Sequence, residues 1–212
     1  LAIDIPDAAL PVDVSSMNVR PYDVTAFELP ALGKHTLVID LIPDQILTGK
    51  AVLPAEIKNG RVVQDVQRDI LKLAVIERHR GTGNIAVGLV RGFSLREGAL
   101  ATSVAHDSHN IICVGCADAD MATAARAVEE MKGGLAIACD RRIVTRLPLP
   151  IGGLMSDRPL AETAGLWEDI RYQAQQLGCR LSEPFMHLSF LALPVIPALK
   201  LTDRGLVDVD KF

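Results

Sequence analysis

The hydrophobic pattern divides the chain into short apolar runs separated by compact polar turns. From His35 the apolar positions alternate through Leu37, Ile39 and Leu41, the period of a half-buried strand, and a second run covers residues 45–53. Asn59-Gly60 then stands before Arg61-Val62-Val63, and that dipeptide between such runs predicts a tight hairpin. Val66, Ile70, Leu73 and Ala74 recur at helical spacing, which predicts an amphipathic helix over residues 65–79, ended by Gly81-Thr82-Gly83. Residues 84–93, 99–105 and 110–115 are mostly apolar, as strands covered on both faces are.

Further along, Asp118 or Asp120 is placed to cap a helix with the apolar face Met121, Ala124, Ala125 and Val128, stopped by Gly133-Gly134. Residues 135–139 and 143–147 flank Asp140-Arg141-Arg142 as a hairpin. A second long helix starts near Pro159, a residue tolerated in a first turn. It is expected to bury Leu160, Ala164, Trp167, Ile170, Ala174 and Leu177 before Gly178. No fixed-period repeat is visible. The expected fold class is α/β, with α+β as the variant: an aliphatic mixed sheet covered by helices and preceded by a small β-rich segment. Residues 1–33, rich in proline and poor in periodicity, read as an extended arm or linker; residues 34–64 read as the β-rich lead-in and residues 65–212 as the α/β core.

Composition narrows this picture. Hydrophobic residues make up 49% of the chain but aromatics only 4%, so the core has to be built from Val, Ile, Leu and Ala. A net charge of −4 with scattered Lys and Arg provides no footprint for nucleic acid. The longest apolar stretch, residues 185–199, is interrupted by His187, Ser189, Pro194 and Pro197 and is too short to span a bilayer. The first ten residues lack the basic start and apolar core of a signal peptide, and a cytoplasmic protein is expected. A chain that starts at Leu1 reads as a piece of something longer.

The densest polar cluster is His106-Asp107-Ser108-His109-Asn110, set between two apolar runs. Such side chains cannot be buried without partners for nearly all of them. Either local Asx and Ser turns satisfy them, or they form a site. With Cys113 and Cys116 the two histidines make four potential zinc ligands within eleven residues. Cys113, however, falls mid-strand, where neighbours alternate faces; both thiols are expected to be buried, and no metal is assigned to this chain. A thiol redox pair is disfavoured because only Cys116 lies near a helix start. The His-x-Glu and Pro-Cys-x-x-Cys signature of zinc deaminases is absent, as are His-x-His, His-Glu-x-x-His and a phosphate loop. The glycines from Gly81 to Gly88 follow a helix pattern and lead into a strand, the reverse of the dinucleotide order. Gly152-Gly153 offers close backbone approach to an anion, which makes Met155 and Ser156 candidate substrate contacts; an ordinary loop capped by Ser156 or Asp157 is the plainer alternative. Arg91 is expected to bring a cation near the turn and His187 a third imidazole, while lone histidines such as His35 and His79 carry little weight.

Several ordered motifs resemble one family. Arg91-Gly-Phe, Ser103-Val-Ala-His-Asp-Ser-His-Asn-Ile-Ile, Asp120-Met, Leu147-Pro-Leu-Pro-Ile-Gly-Gly-Leu-Met-Ser156, Pro184-Phe-Met, Ser189-Phe-Leu-Ala-Leu-Pro-Val-Ile-Pro197 and Leu201-Thr-Asp-Arg-Gly-Leu206 together are similar to the C-terminal region of the bacterial adenine deaminases, from about Asn18 to Val209. The resemblance implies a parent hydrolase of purine salvage that converts adenine and water to hypoxanthine and ammonia on an upstream amidohydrolase barrel. A divalent metal there (Mn, Fe or Zn) would activate the attacking water. It further implies that this chain alone is inactive, that its partners are the upstream barrel and, for the parent, adenine, and that the parent is a homo-oligomer. His106, Asp107, Ser108, His109 and Asn110 are then candidates to face the active site, with Arg91, Met155 and Ser156 near the substrate. The alternatives are a structural or oligomerisation module, and a metal or thiol module using Cys113 and Cys116.

Overall fold

A computed structural model describes residues 17–211; residues 1–16 of the expected arm lie outside the described residues. In chain order the strands are β1 (Leu29–Pro30), β2 (His35–Leu41), β3 (Thr48–Pro54), β4 (Glu56–Lys58), β5 (Arg61–Val63), β6 (Ile70–Ile76), β7 (Ile85–Arg91), β8 (Ala99–Thr102), β9 (Ile111–Gly115), β10 (Gly134–Cys139), β11 (Arg142–Pro148), β12 (Leu199–Thr202) and β13 (Gly205–Asp208). The helices are α1 (Asp118–Glu130), α2 (Leu160–Gln176) and α3 (Pro184–Phe190). Eight strands form one mixed sheet in the order β11-β10-β8-β9-β6-β7-β2-β3, with β1-β5-β4 and β12-β13 as two small sheets. Every pairing in the large sheet is antiparallel except that of β2 with β7.

The two faces of the sheet differ in side-chain size. On one face Ala74, Ala99, Ala101, Ala136 and Ala138 meet Met121, Ala124, Ala125 and Val128 of α1. Small residues on both sides let the helix approach closely; a Cβ at Gly115 would come within 2.6 Å of the Ala99 Cβ. On the other face Leu71, Leu73, Leu100, Ile112, Val114 and Ile137 pack under α2, α3 and β12. Both faces are therefore dry, which explains the uninterrupted apolar runs.

The Asn59-Gly60 hairpin forms as expected, with Asn59 at φ 50° and Gly60 at φ 73°, the left-handed pair of a tight hairpin turn. It belongs to the small sheet, however, while β2 and β3 extend the large one. The three strand expectations between residues 84 and 115 and the hairpin around Asp140-Arg141 also match the strands found. In the described part of the expected arm, Phe27 is fully buried against the alanine-lined face, with Met17, Val19 and Tyr22 packed beside it.

The helix expected over residues 65–79 does not form. Asp65 caps a single turn over Val66–Arg68, accepting from the Arg68 N–H, and Asp69 at φ 55° turns the chain into β6. All seven residues of β6 are buried, so the strand is apolar at nearly every position and mimics a helical period by coincidence. Its one polar member, Lys72, donates to both Asp118 oxygens (2.9 and 2.7 Å) and to the Phe27 carbonyl (2.9 Å). Neither acid expected to cap α1 does so: Asp118 serves Lys72 and Gln64, and Asp120 accepts from the Arg141 N–H. In α2 the second half buries Ile170 and Ala174, but Leu160 and Ala164 of the first half are exposed.

Candidate functional site

The polar turn leaves β8 through Ser103 and Val104 and returns to the sheet at Ile111. Ser103 is buried and is spent on structure: its hydroxyl donates to the Gly153 carbonyl (2.6 Å) and accepts from the Gly134 N–H (2.8 Å). The turn closes locally. The His109 N–H donates to the Ala105 carbonyl, and His109 Nδ1 accepts from the Ala105 N–H (3.3 Å). His109 holds φ at 50° to do so, an uncommon conformation for a residue with a Cβ. Because Nδ1 is an acceptor, the neutral ring carries its proton on Nε2.

The anchor of the turn is Arg78, just past the end of β6. Its side chain is buried. Its Nε donates to the His109 carbonyl, its backbone N–H to Asn110 Oδ1 (3.3 Å), and a terminal nitrogen to the Gly152 carbonyl (3.1 Å). Burial lowers its pKa to about 10, which leaves it charged at neutral pH. Gly152 and Gly153 have positive φ, and a Cβ on Gly153 would sit 2.7 Å from the Arg78 guanidinium; here glycine is required by close approach. On the other side of Arg78 its carbonyl accepts from the Asn18 N–H (2.7 Å), and Asn18 Nδ2 donates to the His79 carbonyl (3.3 Å). His79 Nε2 in turn donates to the Ser108 carbonyl (2.7 Å).

Three imidazoles thus surround the turn. His106 and His109 meet edge to face at 5.5 Å between centroids, and His106 lies 4.7 Å from the Phe190 ring. The His106 N–H donates to the Ser189 carbonyl, tying the turn to α3. Burial, followed by the nearby His106 ring and the Arg78 charge, lowers the His109 pKa, with Asp107 opposing. Asp107 and Ser108 are exposed, while Asn110 is buried. The rings do not converge on a metal: one nitrogen of His109 and one of His79 are already taken by backbone groups. Among the described residues no group of three His, Cys, Asp or Glu side chains is arranged to hold one.

Other sequence candidates fall elsewhere. Arg91 is not at the turn. It sits at the far end of β7, paired with Ile70 whereas Ile85 pairs with Ile76 beside Ile111, about 20 Å away at the ~3.3 Å rise of a strand residue. Its guanidinium donates twice to Asp40, both at 2.7 Å. His187 is also separate, accepting from the Asp44 N–H (3.0 Å). Met155 is 60% exposed on the loop that Arg78 holds. Ser156 is used locally, its hydroxyl accepting from the Arg158 N–H (3.1 Å) and the Thr163 hydroxyl (3.0 Å). Cys113 lies under α1 and Cys116 packs toward the opposite face; burial raises both thiols, Cys116 to about 12, so neither is a ready thiolate.

Nothing in the sequence points to Arg78, and His79, given little weight there as a lone histidine, turns out to hold the turn. Their partners are mostly backbone carbonyls far along the chain, and no motif marks such contacts.

Beside the turn opens a cleft of about 470 Å³ lined by Val104, His106, Leu149, Trp167, Phe185 and Ser189 among others. No helix among the described residues is long and apolar enough to cross a membrane.

Comparison with known proteins gives a consistent result. The family model described as adenine deaminase C-terminal domain matches residues 45–212. The adenine deaminase of Desulfatibacillum aliphaticivorans is 52% identical over 198 residues, which is 93% of this chain and 35% of the relative. Those of Dehalococcoides mccartyi strain 195 and Methanothrix thermoacetophila are 47% and 48% identical, over 94% and 96% of this chain and 35% and 36% of the relatives. The chain thus spans about a third of the length of the curated relatives it matches.

Proposed function

Since the chain belongs to the adenine deaminase C-terminal domain family, we propose that it is the accessory domain of an adenine deaminase whose metal-dependent barrel lies upstream. In this reading the turn from His106 to Asn110 faces the barrel and helps shape the site where adenine is hydrolysed. One observation carries it: the turn is fastened from beneath by Arg78 and His79, yet Asp107 and Ser108 point into solvent and His109 keeps an Nε2–H. A self-satisfied turn needs only the first of these. A rigidly held edge of donors and acceptors suits a polar substrate or a catalytic group brought by another domain. The chain would supply orientation and water exclusion, and the barrel metal would supply the activated water.

The test joins this chain to its upstream region and replaces His106 or His109 by Ala. Adenine turnover should fall about tenfold or more, the scale of a lost positioning contact, with the melting temperature little changed. Turnover and stability both unchanged would sink the reading. The chain alone should release no ammonia from adenine.

A second reading, a module for structure or assembly, is favoured by the exposed apolar side chains at Leu160, Met155 and Met186. The same replacements would then alter melting temperature or oligomeric state and leave turnover per folded molecule as it was.

A further inference from the structure

The apolar stripe of α2 has an unusual course. Its second half, Ile170 and Ala174, enters the core, whereas Leu160 and Ala164 on the same stripe are exposed and line the 470 Å³ cleft, and Trp167 between the two halves both packs against the core and lines the cleft. Leu160 is 85% exposed at the rim, and Met186 and Leu154, which also line the cleft, are 49% and 36% exposed. Met186 also borders a second cleft of about 250 Å³, whose lining includes Ile46 and Phe190. The two clefts therefore form one band along α3, a concentration of uncovered apolar surface that marks an interaction site. Charged side chains stand among these apolar ones: Glu168 and Arg171 line the first cleft and Asp44 and Glu183 the second, and Arg171 pairs with Glu183 (3.1 Å), the mixture of apolar contacts and polar groups that protein interfaces carry.

We propose that this band is the docking surface for the upstream part of the parent, the two-thirds of the relatives' length that the match leaves uncovered. The inference rests on the accessory-domain reading above and names the surface that reading requires. One observation selects this occupant. His106 belongs both to the polar turn and to the wall of the cleft, so a body seated in the cleft necessarily abuts the turn. The other apolar groove of comparable size, about 370 Å³ and lined by Leu32, Leu37, Val52 and Leu206, lies by β2 and β3, at the opposite end of the sheet order from β10 and β11. The partner surface fitting the band presents Leu, Met or aromatic side chains from a helix or loop, with polar groups around them.

Hydroxyl-radical footprinting of the full-length parent tests this directly. Tyr172, 56% exposed and outside the cleft lining, is the internal reference. Oxidation of Leu160, Met186 and Trp167 should fall about fivefold below what their exposure here implies relative to Tyr172, as buried interface cores exclude water. Replacing Leu160 and Met186 by Asp should restore oxidation at Trp167 while the melting curve of this domain persists. Full oxidation at all three sites in the parent overturns the proposal, and so does protection that disappears on dilution, which assigns the band to a second copy. Protection together with unchanged turnover of His106→Ala supports the docking surface while removing the catalytic reading of the turn; lost turnover without protection does the reverse.

Discussion

At the scale of single residues, the polar groups near the turn divide into those that build it and those it presents. Glu77 is a builder. Its carboxylate accepts from the backbone N–H groups of His79, Arg80 and Thr82 and from the Thr82 hydroxyl. Burial alone would raise its pKa, but the hydrogen bonds from Thr82, Arg80 and His79 together bring it down to about 2 from 4.5. A carboxylate depressed in the folded state stabilises above its unfolded pKa and loses that contribution as pH falls. Stability of the wild-type chain should therefore drop between pH 4.5 and 2, and Glu77→Gln should flatten that part of the profile and cost about 2 kcal/mol at neutral pH, as read by urea titration at several pH values. His109 acts in a higher window. Its lowered folded pKa means that the unfolded chain binds more protons just below the ordinary histidine value of 6.5, so its share of stability is lost as pH falls from there. Tyr22 offers a contrast: its buried hydroxyl has no hydrogen-bond partner among the described residues, and burial raises its pKa. Tyr22→Phe removes a desolvated group without opening a cavity and should be neutral or stabilising by up to about 1 kcal/mol in thermal melts.

At the scale of elements, β6 and α1 depend on one buried ion pair. Lys72 is 1% exposed, and Asp118 at the start of α1 holds it. Asp118→Ala leaves a buried ammonium with only the Phe27 carbonyl and should cost about 3–5 kcal/mol, whereas Lys72→Met should cost much less; a pair of chemical denaturation curves separates the two. The same strand shows where the sequence was misleading. Apolar runs bounded by polar turns were sufficient for β7, β8 and β9, turn residues for the β10–β11 hairpin, and helical spacing with a glycine stop for α1, because those signals are local. The run Ile70-Leu-Lys-Leu-Ala-Val-Ile76 is buried on both faces, and such a run has no period to read. In α2 the helical stripe was legible, but which half meets the core depends on where α3 and residues 149–155 end up. The turn was legible as a polar cluster by composition alone. Its anchor was not, since Arg78 reaches a carbonyl 31 residues ahead and another 74 ahead.

At the scale of the whole molecule, Arg78 connects the entering backbone at Asn18, the polar turn and the Gly152-Gly153 loop. Arg78→Met should loosen all three together: their amides should exchange faster by a common factor while those of β8 and β10 keep their protection, a pattern that native-state hydrogen exchange resolves. The large sheet has its own weak join. β2 meets β7 over only two register pairs, Ile39 with Val90 and Asp40 with Arg91, and there the Arg91–Asp40 ion pair clasps it. Thr48, paired with Leu41 at the same end of the β2–β3 ribbon, fastens it to residues 197–199. If both clasps let go, β7 becomes a bare edge whose Leu89 and Val90 were fully covered, a template for adding strands from other molecules. Heating should therefore end in aggregation seeded at β7 before the α1 side of the sheet has melted, and Asp40→Asn, which weakens the clasp without touching the core, should lower the temperature at which turbidity appears.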